Sequence, residues 1–87
     1  MNMKNLAENN VIRFVNITKK KDGLFANFRV RGIRAGTVFS ASISVDISAA
    51  ELNATDPLEK IVEHCARLGI KEFKKADFEF VGIAQQI

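Results

Sequence analysis

One cysteine, one histidine, one proline, no tryptophan and no tyrosine occur in these 87 residues. Each scarcity excludes something. A lone thiol, Cys65, forms no internal disulfide, so a core must hold the fold together. One His with one Cys is too little for a zinc site, and no glycine-bearing calcium loop is present, so no metal is expected. No closely spaced glycines lead into a helix start, which leaves no phosphate-cradling loop and no cofactor motif. Apolar runs are only a few residues long, against the roughly 20 that span a bilayer, and MNMKNLAENN at the start lacks the apolar stretch of a secretory signal. With the single thiol, these features predict a soluble protein of the reducing cytoplasm with no membrane partner.

What is present is a chain with 47% hydrophobic residues, seven of them Phe. That is enough for one core and too short for two. The polar stretch at residues 1–10 reads as a flexible tail, and residues 11–87 as a single domain. Charge is divided unevenly. Residues 1–45 hold eight Lys or Arg against two acids, and residues 46–87 hold five against eight. The basic excess of the first half suits an anionic partner.

Val11 to Thr18 and Leu24 to Arg31 are rich in β-branched and aromatic residues, and Asp22-Gly23 between them favours a two-residue type I′ turn. That turn pairs Ile17 with Phe28 and Val15 with Val30 on one face. On the other it pairs Phe14 with Arg31, Asn16 with Arg29, Thr18 with Asn27 and Lys20 with Phe25. Thr37 to Ile47 alternates Phe39, Ala41, Ile43, Val45 and Ile47 with Ser40, Ser42, Ser44 and Asp46, a strand with one wet face. The short link from Gly32 to Gly36 returns it antiparallel. Asp56-Pro57-Leu58-Glu59 carries an N-cap acid, a first-turn proline and a third-position glutamate, so a helix starts at Pro57 and runs to about Leu68, where Gly69 stops it. Leu58, Ile61, Val62, Cys65 and Leu68 form its apolar stripe. Ser48-Ala49-Ala50-Glu51 repeats the capping pattern and forms one short turn. Ala76 to Ile83 alternates Phe78 and Phe80 with Asp77 and Glu79, a final strand beside the first. The fold class is therefore α+β with order β-β-β-α-β: a three-stranded antiparallel meander plus a fourth strand, with one helix packed on one face of the sheet.

Catalysis finds no footing. His64 and Cys65 are neighbours on a helix and point about 100° apart, so they form no nucleophile–base dyad. The carboxylates Asp46, Glu51, Asp56 and Glu59 cluster near the strand-to-helix connection, but Asp56 and Glu59 have capping roles. No catalytic residue is assigned and no enzyme is expected.

The sheet face away from the helix remains. Phe14, Lys20, Phe25, Asn27, Arg29 and Arg31, with Arg34 at its end, combine cations for phosphates with rings for bases, as a nucleic-acid surface does. Structural duties compete for the same groups: arginines paired with Asp77 and Glu79, or cations laid over the phenylalanine rings. The same rings and the free edge of the third strand also suit a protein-interaction or inhibitor module that pairs with its own copy as a homodimer.

The order β-β-β-α-β over residues 11–82 is similar to the truncated RNase H-like half of small antitoxin-type proteins. Three strands followed by a helix, over residues 11–68, resemble sheet-reading DNA-binding domains of the integrase type. Both likenesses lie in topology, and neither transfers a functional residue. An RNase H places an acid on its first strand, where VIRFVNIT has none. A double-stranded-RNA-binding domain starts its last helix with basic residues, where this chain has Asp56-Pro57-Leu58-Glu59.

Overall fold

The computed structural model describes residues 10–82 and contains β1 (Val11–Lys20), β2 (Gly23–Arg34), β3 (Thr37–Asp46) and α1 (Leu58–Lys75). The strands form one antiparallel sheet in the order β1-β2-β3, so the protein is α+β with the expected meander. Apart from Asn10, the tail expected at residues 1–10 lies outside the described residues. The Asn10 side-chain oxygen accepts a hydrogen bond from the Ile33 N–H at 3.1 Å.

β2 is the middle strand and supplies the centre of the core. Ala26, Phe28 and Val30 are buried and alternate with exposed Arg29 and Arg31, the period of two that a strand imposes. Ala26 and Phe28 join Val45, Ile47, Ala50, Leu52 and, from α1, Ile61 and Cys65 in one buried cluster. Ile12, Phe14, Ile17 and Ile43 pack against that cluster. The Phe14 and Phe28 rings meet edge to face, 5.7 Å between centroids, a geometry worth about 0.5–1.5 kcal/mol beyond its buried area.

The β1–β2 register corrects the expected one. The two-residue turn is Lys21-Asp22, not Asp22-Gly23, because Lys20 pairs with Gly23, Thr18 with Phe25 and Asn16 with Asn27. Between Phe14 and Asn16 the register shifts, leaving Val15 without a partner, and Phe14 then faces Phe28 while Arg13 faces Arg29. This bulge inverts the sidedness of the start of β1. Phe14 therefore lies with the core and not, as expected, on the basic face. Burial of the two rings favours the bulge, while the one-residue shift of the turn leaves the faces of the strands unchanged. Gly23 still uses its freedom, at φ 134° in the first position of β2.

The second connection is shorter than expected. β2 continues through Arg34, and Ala35 and Gly36, at φ 52° and 78°, form the two-residue turn. Positive φ at both centres is the type I′ signature. Gly32 is thus a strand residue. A Cβ there would strike the Asn10 side-chain oxygen and come within 2.5 Å of the Phe39 ring, which lies across it on β3.

After β3, Ser48-Ala49-Ala50-Glu51 forms the expected turn. Its closure by Glu51 N–H to Ser48 C=O (2.9 Å) and Leu52 N–H to Ile47 C=O (3.1 Å), with Glu51 at φ 61°, is the bonding of a helix C-terminus. Asp46 braces its start. Both the N–H and the hydroxyl of Ser48 donate to Asp46 Oδ1, at 2.9 and 2.8 Å. The Ser48 hydroxyl first, then its N–H, hold the Asp46 carboxyl below the ordinary aspartate value.

The helix starts one residue later than expected and ends seven later. Asp56 does not cap it: the Asp56 carboxylate accepts the Asn53 N–H at 2.9 Å, and α1 has no side-chain cap. Leu58, assigned to the apolar stripe, is 58% exposed. Gly69 does not stop the helix, because Ile61, Cys65, Gly69 and Phe73 continue one line of residues four apart. A Cβ on Gly69 would lie 2.9 Å from Ile43 Cγ2 and 3.2 Å from Val45 Cγ2. Glycine here permits close approach. The expected fourth strand does not form: residues 76–82 take no place in the sheet, and its last residue, Ile83, lies outside the described residues.

Alanine in place of an exposed helical glycine gains about 1 kcal/mol, but at Gly69 overlap with two β-branched side chains reverses the sign. Gly69→Ala is expected to lose on the order of 1 kcal/mol net, read as a lower urea midpoint; a raised midpoint would refute the close contact. The depressed Asp46 value sets a second expectation. Its contribution to stability is complete above the ordinary aspartate pKa and is lost as pH falls through the lowered folded-state value. Asp46→Asn should therefore be less stable than wild type at pH 7, and the gap should close toward pH 2. A gap independent of pH would show that the Ser48 bonds do not favour the ionised form.

Candidate anion-binding face

The face of the sheet opposite the core carries Val11, Arg13, Asn16, Thr18 and Lys20 from β1 and Phe25, Asn27, Arg29, Arg31 and Ile33 from β2. From β3 it carries Val38, Ser40, Ser42, Ser44 and Asp46. It divides into two parts with different chemistry.

Near the β1–β2 turn the polar groups satisfy one another. The Asn27 amide N–H₂ donates to Asn16 Oδ1 at 2.8 Å and to Thr18 Oγ1 at 3.0 Å, and the Ser44 hydroxyl donates to Asn27 Oδ1 at 2.6 Å. One side chain thereby ties all three strands together. Lys20 Nζ lies over the Phe25 ring, 5.2 Å from its centroid, a cation–π contact that occupies both groups. Asn27, Lys20 and Phe25 are accounted for by these contacts.

Toward the far end the arginines are not. Arg13 stands directly opposite Arg29, and Arg31 pairs with Val11 one ladder step on, so three guanidinium groups share one patch. All three are exposed. Among the described residues the ion pairs are Asp56 with Lys60 and Glu63 with Arg67, and neither involves these arginines. The competing arrangement, Arg29 and Arg31 paired with Asp77 and Glu79, does not occur among the described residues. Like charges directly opposite on a sheet are destabilising. Here they surround a shallow cavity of about 210 Å³ lined also by Val11, Ile33, Val38 and Phe39. Such a site can hold an anionic group by several charge-assisted hydrogen bonds at once.

The sequence-predicted set is thus only partly assembled. Arg29 and Arg31 come together. Phe14 lies on the core side, and Arg34, opposite Thr37 at the end of β2, does not line the cavity. Arg13 was missed by strict alternation, because the bulge at Val15 moves it to this face; unpaired Val15 itself is 53% exposed. No Gly-Asn or Gly-Asp bulge signal marks that position.

Elsewhere, Cys65 is fully buried and burial raises its thiol pKa, while His64 is exposed. A buried, protonated thiol is a poor nucleophile. No three His, Cys, Asp or Glu side chains converge among the described residues, and none of their helices is long and apolar enough to cross a membrane. No protein-family model, curated protein or solved structure matches the chain.

The two parts of the face should respond oppositely to truncation. Asn27→Ala strands three polar partners and is expected to lose about 1 kcal/mol. Arg13→Ala relieves a like-charge pair and is expected to gain a few tenths of a kcal/mol at low salt, a gain that vanishes at high salt. Urea titrations at two ionic strengths measure both, and a destabilised Arg13→Ala would mean that the arginine is structural.

Proposed function

We propose that this is a non-enzymatic binding domain that holds a nucleic-acid backbone on the patch of Arg13, Arg29 and Arg31, while α1 covers the other face of the sheet. The observation that carries this reading is the Arg13–Arg29 cross-strand pair, whose repulsion a bound anion would relieve. β2 makes the patch rigid, since Phe28 and Val30 fix its backbone from below. The chemistry favours phosphate over bases. Phe14 packs against the core and Phe25 is covered by Lys20, so neither offers a bare ring for base stacking on this face. Binding is accordingly expected to be weak, independent of sequence and dominated by counterion release.

The test is titration of duplex and single-stranded oligonucleotides of mixed sequence across a salt series. With three contacted phosphates the slope of log K against log salt should be about −2.7 for duplex. Arg29→Ala with Arg31→Ala should flatten that slope to about −0.9 while the fold persists by circular dichroism. Absence of binding at 50 mM salt would reject the reading. A preference among base sequences would reject the phosphate-only form of it.

A second reading, a protein-interaction or inhibitor module that acts as a homodimer, is favoured by one specific observation. Phe78, Phe80 and Val81 come after the helix and are 75%, 92% and 63% exposed. Apolar groups exposed in sequence mark an interface more often than solvent-facing chain.

A further inference from the structure

Among the described residues the outer edge of β1 is unpaired, and beside it the structure has an apolar trough. Ile12, Ala66 and Ile70 line it with the stems of Lys71, Lys74 and Lys75, around about 600 Å³. The groove on the opposite side of α1, along β3, differs in charge, because it is lined by Asp46 and Glu72 together with Ile43, Gly69 and Phe73. The segment after α1 carries the complementary pattern. Ala76 is extended (φ −69°, ψ 141°), and Asp77 and Glu79 alternate with Phe78 and Phe80, the period of a strand with one apolar and one acidic face.

The segment does not occupy the trough of its own chain. Phe78 rests against Phe73, 6.0 Å between ring centroids, and Phe73 belongs to the β3 side of the helix, whereas the trough lies on the β1 side. A free edge, a basic trough and an unpaired acidic-apolar segment thus occur in one molecule and do not meet within it. They can meet between two molecules.

We infer that residues 77–82 of one copy add as a fourth strand to the β1 edge of a second copy, and reciprocally, in a strand-exchanged homodimer. Phe78 and Phe80 enter the partner's trough, and Asp77 and Glu79 fall on the arginine side next to Arg13. Charge selects the β1 edge, because the β3 groove would set Asp77 and Glu79 near Asp46 and Glu72. Reciprocal exchange closes with two-fold symmetry. Two such additions bury on the order of 2,000 Å², the range of stable dimers. The inference rests on the homodimer reading; it sets the second copy's acids beside Arg13 and leaves Arg29 and Arg31 to an anion.

The test is molecular mass by light scattering and sedimentation over a micromolar concentration range. The full chain should be a dimer that weakens as salt rises. A chain stopped after Lys75, and separately Phe78→Asp with Phe80→Asp, should be monomers with unchanged far-ultraviolet circular dichroism. The two variants guard against each other, since truncation adds no charge and the substitutions shorten nothing. Mixing Arg13→Cys chains with Glu79→Cys chains under oxidising conditions should give a cross-linked dimer; buried Cys65 is out of reach. A monomeric full chain, a dimer that survives both variants, or cross-linking that succeeds with Ser42→Cys on β3 and fails with Arg13→Cys would each overturn the inference.

Discussion

An unpaired residue near the middle of the first strand decides what the rest of the sheet can be. Without the register shift at Val15, β1 would present Phe14 and Ile12 to solvent and Arg13 to the core. Neither is tolerable when Phe28 and Val30 are buried beside them. With it, one strand offers Ile17 to the core on one side of the bulge and Phe14 and Ile12 on the other, and the alternation restarts out of phase. The cost is one break in the ladder. The bulge thereby creates a continuous apolar face beneath α1's buried residues and, above it, three arginines that uniform pairing would never have brought together.

The same constraint separates the two halves of the open face. On the turn side of the bulge, Asn16, Thr18, Asn27 and Ser44 form a closed set of hydrogen bonds that spans all three strands and asks nothing of solvent. Beyond it, cations face cations. Coulomb repulsion between exposed groups is modest and is screened at physiological salt, so the core below can hold the arrangement. A bound anion would convert that repulsion into shared attraction. A face that satisfied itself throughout would have no reason to bind anything.

Much of this was legible from residue order. The meander, its two hairpins and the clean alternation of β3 follow from period-two burial and from turn residues, and the helix follows from its apolar spacing. The illegible parts have physical causes. An Asp-Gly pair states a local preference of small size, and the turn falls one residue earlier; Phe14 changed faces because the bulge at Val15 sets it against Phe28. Gly69 looks like a stop because glycine ends many helices; only the packed structure shows Ile43 and Val45 too close for a Cβ. Asp56 fits a cap by position but bonds back to Asn53. Arg13 was invisible because a bulge with no glycine leaves no mark on composition.

The final segment poses the remaining question of energy. Phe78 and Phe80 alternate with acids as a strand should, and the expectation of a fourth strand beside β1 came from that pattern. Within one chain the segment takes no place in the sheet: the helix runs on past Gly69 to Lys75, and Phe78 rests against Phe73 on its β3 side. Leaving two such rings in water forgoes roughly 1.5–3 kcal/mol each. The proposed exchange with a second copy would recover part of that burial.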